Sequence, residues 1–366
     1  MSVETTPRND AGLADTQEGA RVVDQAQGDR AFWDGRRVLV TGATGMVGSW
    51  LVKDLLGLGA RVVALIRDAD PRSELYRSGD IHRISVVNGR LEEYGDLERA
   101  INEHETDVVL HLGAQTIVGT AQRNPLATFE ANIRGTYNLL EACRVHRGLV
   151  ERVVVASSDK AYGTQPVLPY TEDMSLTGEQ PYEVSKSCTD LLSRSYFLTY
   201  GLPVTVARCG NIFGGGDLNW SRIIPGTIRS CLRGERPIIR SDGTFVRDYI
   251  YVKDVSRAYL RLAERMDQPE VNGEAFNFSP ERALTVLELV RLVQEQMGRG
   301  DLEPLIQNAA QGEIHSQYLN SAKANRLLEW HPQFTLEEGM GETAAWYRDF
   351  LGAPAEAQLA GVGGGR

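Results

Sequence analysis

The sequence predicts an α/β fold, a doubly wound parallel sheet joined to a smaller mixed α/β lobe. Three observations predict it. Six short runs rich in Val, Leu and Ile alternate with stretches of helical apolar period. The runs are apolar at successive positions, as in strands covered on both faces of a parallel sheet. After Cys209 the alternation is broken by Gly214-Gly215-Gly216 and Pro225, and shorter elements follow.

The first run, Val38-Leu39-Val40, leads into Gly42, Gly45 and Gly48 and then into Leu51, Leu55 and Leu58. This reads as strand, tight turn and helix. Gly42 permits the turn, Gly45 lets a phosphate approach, and Gly48 lets helix and strand pack closely. The N–H groups and dipole of such a helix start suit a pyrophosphate. The spacing is G-x-x-G-x-x-G rather than the G-x-G-x-x-G of the familiar dinucleotide fold, and a purely structural turn is the competing reading.

Further strands are expected at 61–66, 85–87, 107–112, 152–157 and 204–207, with helices at 96–103, from Pro125 to about His146, and at 182–200. Leu126, Phe129, Ile133, Tyr137 and Leu140 give the long helix its period. A nucleotide-binding domain therefore spans 31–209, with 246–265 returning to it. The smaller lobe takes 210–245 and 266–352 and includes a helix near 285–296. Ligands belong at the carboxyl ends of the strands, where both the glycine turn and Ser157-Ser158-Asp159-Lys160 fall.

The 366 residues suffice for about two domains, and 42% apolar with 24% charged residues is ordinary for a soluble enzyme. The net charge of −10 argues against a nucleic-acid partner. Cys143, Cys188, Cys209 and Cys231 form no C-x-x-C and read as reduced thiols of a cytoplasmic protein. The six histidines lack ligand spacing, so no metal site is expected. No apolar stretch nears the roughly 20 residues of a membrane span. Residues 1–30 are polar and acidic, without the form of a signal peptide, and read as a disordered tail. Residues 353–366 read as a flexible end, and no internal repeat is evident.

Tyr182 and Lys186 lie four apart on an expected helix and share one face. An ammonium there lowers the tyrosine pKa and can hold a ribose hydroxyl. The phenolate then serves as a base toward a sugar or alcohol hydroxyl. A chance surface pair is the alternative.

Together with His111-Leu112-Gly113-Ala114-Gln115, Asn132-Ile133-Arg134-Gly135-Thr136, Tyr182-Glu183-Val184-Ser185-Lys186, Asn211-Ile212-Phe213-Gly214 and Arg247-Asp248-Tyr249-Ile250-Tyr251-Val252, these features carry a resemblance. From about 36 to 347 the chain resembles the extended short-chain dehydrogenases/reductases of the nucleotide-sugar epimerase/dehydratase group, which implies a Rossmann-type domain. The resemblance implies that Ser158 bonds the sugar O4, that Tyr182 is the base there, and that C4 gives up a hydride to a nicotinamide. It implies cofactor contacts at Gly42, Thr44, Gly45, Met46, Val47, Gly48, Arg67, Arg90, Leu91, Leu112, Gly113 and Ala114, besides Tyr182 and Lys186. It implies that Thr116, Asn211, Arg222 and Arg247 bind a nucleotide-diphosphate sugar. Surface charge is the plainer reading of the two arginines, although a fork-shaped, permanent cation suits a phosphate. A homodimer through the helices at 126–146 and 182–200 is also implied; ordinary core packing would equally use their apolar residues.

A 4-epimerase needs only the hydroxyl, Tyr and Lys. A 4,6-dehydratase must also remove the C5 proton and protonate the leaving 6-hydroxyl, so it needs an acid and a base beside the hexose. Asp159 and Lys160 hold the positions where dehydratases of this group place that pair, in the form that resembles CDP-glucose 4,6-dehydratases. Asp159 would be the acid and Lys160 the base, its pKa lowered by burial or nearby positive charge. The R-D-Y-I-Y-V stretch is shared by epimerases and other dehydratases, so the nucleotide base stays open. After the second strand, Ile66-Arg67 resembles NADP-using GDP-mannose dehydratases and leans the reading to NADP, while Asp68 would favour NAD. A UDP-sugar 4-epimerase, in which Asp159 and Lys160 merely pair at a strand end, is the first alternative and a catalytically silent nucleotide-binding protein the second. A decarboxylase or 5,6-dehydratase on the same scaffold stays open.

Overall fold

The computed structural model describes residues 30–309 and 313–352, and the expected tails at 1–30 and 353–366 lie almost wholly outside them. Seven parallel strands form the central sheet. They are β1 (Arg37–Thr41), β2 (Arg61–Ile66), β3 (Ser85–Asn88), β4 (Val108–His111), β5 (Arg152–Ala156), β6 (Val204–Cys209) and β10 (Ala275–Phe278). Their order is β10-β6-β5-β4-β1-β2-β3, so the chain reverses direction between β1 and β4. A crevice opens at such a reversal, beyond the carboxyl ends of the two strands.

Successive side chains of β1 enter different cores. Val38 and Val40 join Leu51, Leu55, Val108 and Leu110 on one face. Leu39 joins Val63, Val109, Leu139 and Val153 on the other. Each strand therefore contributes apolar residues at every position, and burying each such side chain stabilises the fold by about 1.5–3 kcal/mol.

Three elements depart from expectation. Ala275–Phe278, within the stretch assigned to the lobe, is the edge strand of the central sheet and pairs with Val206–Cys209. Its Ala-Phe-Asn-Phe run is too short to announce a strand, and long-range pairing completes it. The stretch 246–265 divides: α6 (Val252–Glu264) packs on α1 (Met46–Gly57), whereas β9 (Val246–Tyr251) belongs to a second sheet. The long helix from Pro125 contains a π-helical segment at Glu130–Arg134 before α3 (Gly135–Val145). The widened turn coincides with Asn132, whose side chain donates to Gln115 O and Ser185 Oγ and accepts the Gln115 N–H. The remaining helices named below are α2 (Tyr94–Glu103), α4 (Pro181–Tyr200), α5 (Ile223–Arg233), α7 (Val286–Met297), α8 (Ala322–Leu328) and α9 (Leu336–Gly352).

In the second sheet, β9 is flanked by β7 (Asn211–Phe213), β11 (Ala283–Thr285) and β13 (Ser316–Gln317). A separate parallel pair joins β8 (Ile238–Ile239) to β12 (Leu305–Ile306). Phe213, Ile228, Tyr251, Leu289, Met340 and Tyr347 form the apolar core that binds α5, α7 and α9 to this sheet.

Candidate active site

One cleft of about 1360 Å³ runs from the glycine turn to the second sheet. Its near wall is backbone. Gly42 has φ +75°, and a Cβ there would come within 2.8 Å of Gly113 N. A Cβ at Gly48 would lie 2.1 Å from Gly42 O, so only glycine lets α1 start this close to β1. Gly45 caps α1 without a side-chain bond, and the first turn holds no acidic residue. Those N–H groups and the dipole are thus directed at a ligand anion, which fits a dinucleotide pyrophosphate. Behind the turn, Thr41 Oγ1 accepts the Gly113 N–H at 3.0 Å and lies 2.8 Å from His111 Nδ1, locking the β1 and β4 loops together.

Thr44, Gly45, Met46, Val47, Arg67, Leu91, Leu112, Gly113 and Ala114 line the same cleft. Arg90 does not. Its backbone N–H donates to Asp96 Oδ2 at 2.9 Å, while its exposed side chain pairs with Glu92 at 3.8 Å. The turn into α2 explains this, because it points the side chain at position 90 outward and that at Leu91 inward. Arg67 is exposed and its Nε donates to Asp68 Oδ2 at 2.6 Å.

The loop after β5 brings Ser158, Asp159 and Lys160 to the cleft as a 3₁₀ turn capped by Ser158, whose Oγ accepts the Lys160 N–H at 3.2 Å. The Ser158 hydroxyl donates to Asp159 Oδ1 at 2.8 Å, and Asp159 Oδ2 is buried without a hydrogen-bond partner among the described residues. Burial raises the Asp159 pKa, against Lys160, Ser158 and Arg247. Burial lowers that of Lys160, with Arg247 in the same direction and Asp159 opposing. The carboxyl is thereby biased toward its acid form and the amine toward its free base.

Tyr182 and Lys186 project from the first turns of α4, which opens with a capping box between Gln180 and Glu183. Burial pushes Tyr182 up to about 12, with Asp159 adding to the rise and Arg222 and Ser158 holding it back. The largest influences on the phenol thus differ from the expected one, since Lys186 is turned to the sheet and donates to Ala156 O at 2.7 Å. Burial lowers Lys186 itself to about 8, with Asp190 opposing.

The far wall holds the substrate candidates. Thr116 and Asn211 line it, and Asn211 Nδ2 donates to Asp248 O at 3.3 Å. Arg222, the N-cap residue of α5, pairs with Asp217 at 3.1 Å. Arg247 is buried, and its hydrogen-bond partners among the described residues are the carbonyls of Val246, Ile314 and His315. Carbonyls satisfy its N–H groups, and no ion pair is formed with it among the described residues, which suits a phosphate.

Two groups escaped the sequence reading. Asp248, within a quoted motif but given no role, is fully buried and pushed up to about 7 by burial and by Asp159. Gln317 comes from β13, far along the chain from Lys160, and no local signal marks it.

The sequence model of the NAD dependent epimerase/dehydratase family matches residues 38–278. The chain is 31% identical to a CDP-glucose 4,6-dehydratase of Salmonella typhimurium, covering 88% of this chain and 93% of that protein. It is 30% identical to a UDP-glucose 4-epimerase of Mycolicibacterium smegmatis, covering 86% and 99%. Among solved structures, a dTDP-glucose 4,6-dehydratase from Streptomyces venezuelae with NAD bound superposes with a TM-score of 0.78 at 26% identity, covering 88% of this chain and 99% of that one. No helix among the described residues is long and apolar enough to cross a membrane.

Proposed function

The chain belongs to the NAD dependent epimerase/dehydratase family, and within it we propose that it is a 4,6-dehydratase of a nucleoside-diphosphate hexose. One observation carries the reading: Asp159 and Lys160 share the cleft with Ser158 and Tyr182, the carboxyl biased toward the acid and the amine toward the base. A 4-epimerase has no use for that pair.

Tyr182, which burial holds as the phenol at about 12 and which must lose that proton before it can act, takes the proton of the 4-hydroxyl, and Ser158 holds O4. A nicotinamide dinucleotide bound at the glycine turn would supply the hydride acceptor for C4 and the hydride donor for C6. The C4 carbonyl acidifies the C5 proton, which Lys160 removes. Asp159 protonates the 6-hydroxyl as it leaves as water, giving a 4-keto-5,6-ene, and addition of hydride at C6 with a proton returned to C5 from Lys160, after exchange with solvent, gives a 4-keto-6-deoxy sugar nucleotide. Arg222 and Arg247 take the diphosphate, and Lys186 holds the nicotinamide ribose. We assign NAD as the dinucleotide, because Arg67, on which an NADP reading would rest, is already paired with Asp68 at 2.6 Å. Exposed Leu126, Leu191 and Leu198 on the 125–145 helical stretch and α4 support a homodimer, for which light scattering at micromolar concentration is the test.

The decisive experiment is turnover in deuterated water with CDP-, UDP-, GDP- and dTDP-hexoses. The reading expects water loss, a 4-keto-6-deoxy product and solvent deuterium at C5. It also expects Asp159→Asn and Lys160→Met to stop water loss while C4 oxidation proceeds, so that reduced cofactor accumulates in the near ultraviolet. A C4 epimer without deuterium at C5 would replace it by the epimerase reading, which similarity to 4-epimerases favours.

A further inference from the structure

Gln317 bridges the two groups that the dehydratase reading needs. Lys160 Nζ donates to Gln317 Oε1, and Gln317 Nε2 donates to the backbone carbonyl of Asp159 at 2.9 Å. The side chain is fully buried, and β13 sets it opposite Arg247 on β9. The amide cannot turn over, because its NH₂ would then face an amine and its oxygen a carbonyl.

An amide oxygen only accepts. Lys160 must therefore present an N–H to it in either protonation state. When the amine is neutral, its single lone pair is left to point away from Gln317. We propose that Gln317 is the positioning residue that orients Lys160 as the C5 base, by giving it an acceptor that carries no charge. The inference rests on the reading of Lys160 as that base. In the step served, the C5 proton passes to Lys160 Nζ and the C–H electron pair delocalises into the C4 carbonyl.

The absence of charge matters because Lys160 already has carboxyl groups about it, each of which raises its pKa when ionised. Asp159 on its own turn, Glu183 from α4 and Glu313 from the segment before β13 favour the ammonium, and Arg247 from β9 opposes them. Through Asp159 the surroundings extend to Ser158, Tyr182, Asp248, Tyr170 and Cys209. A carboxylate at position 317 would add an anion in direct contact and hold the proton on Lys160. Gln is nearly isosteric with Glu, so the difference is charge rather than shape.

The test compares Gln317→Glu with Gln317→Met, which keeps bulk and removes the acceptor. Product formation is followed against pH with a C5-deuterated sugar nucleotide, whose isotope effect marks proton removal. Gln317→Glu should move the acid limb of kcat upward by about one unit, lowering the rate near neutrality about tenfold and restoring it at higher pH. KM should change little. Gln317→Met should lower kcat across the whole range without an upward move of the limb. Equal, pH-independent losses in both variants would mean a merely structural residue and overturn the proposal. A wild type that makes no 4-keto-6-deoxy product would defeat the dehydratase reading instead. The hold of Gln317 on Lys160 is read independently of turnover, from the lysine NMR signal missing from Lys160→Met. Its titration midpoint must rise in Gln317→Glu and fall in Gln317→Met. The Met variant alone decides if the Glu variant does not fold, and an unmoved midpoint overturns the proposal.

Discussion

The two walls of the cleft are built in different ways. The wall at the glycine turn is a shape made by consecutive backbone. Gly42, Gly45 and Gly48 lie within one strand-turn-helix unit, and its anion affinity comes from N–H groups and a dipole. The opposite wall is a set of charges gathered from distant segments. Asp159 and Lys160 follow β5, Arg247 comes from β9 and Gln317 from β13, and each changes the ionisation or the geometry of the others. Damage to the first wall should therefore appear as lost binding and stability. Damage to the second should appear as lost chemistry on an intact fold.

The largest effect expected on the charged wall is that of Tyr182→Phe. It removes a proton acceptor and keeps the ring, so C4 oxidation should fall by about 10²–10⁴ while dinucleotide affinity holds. Turnover within a few fold of wild type would take Tyr182 out of the mechanism. On the backbone wall, Gly48→Ala puts a methyl group 2.1 Å from Gly42 O, where only backbone movement can relieve it. Overpacking of this kind costs about 1–3 kcal/mol, and calorimetry with cofactor titration should show lower Tm and weakened dinucleotide binding together. A variant that loses kcat alone would blur the contrast between the walls.

His111, which ties the two loops behind the glycine turn, gives the contrast a pH dependence. Burial, with help from Lys186, lowers its pKa to about 3 from 6.5. Between those values the unfolded chain binds a proton that the folded chain refuses. Stability should therefore fall as the pH drops through this window, by about 1.4 kcal/mol per unit from this group. Urea titrations from pH 6 to 4 should show a shallower loss in His111→Asn than in wild type, and equal slopes would remove His111 as the cause. The smallest effect is expected at the outer edge of the backbone wall. Asp68→Asn frees Arg67 from its partner and should raise NADP affinity relative to NAD by several fold, since exposed ion pairs contribute about 0.2–1 kcal/mol. An unchanged ratio would argue that the pair does not face the adenosine ribose.

What could be read in advance follows the same division. The strand at 61–66 and the helix near 285–296 were legible, because the apolar pattern of neighbouring residues settles which faces are buried. Leu91 and Arg90 show where local reading stops, since one turn sends one side chain into the cleft and its neighbour out to solvent. The π-helical turn at Asn132 is set by Gln115 and Ser185, which the periodicity of its own helix does not report.

By itself the sequence determined the parallel sheet, the glycine turn and the residue types that the proposed chemistry calls for. Those depend on periodicity and on motifs whose members lie within one or two turns of each other. Tertiary structure alone decided that Ala275–Phe278 would close the sheet beside β6, that Lys186 would donate to Ala156, and that Gln317 would meet Lys160. Such contacts join segments with no pattern in common, and the ionisation of Asp159 and Lys160 follows from the burial they create.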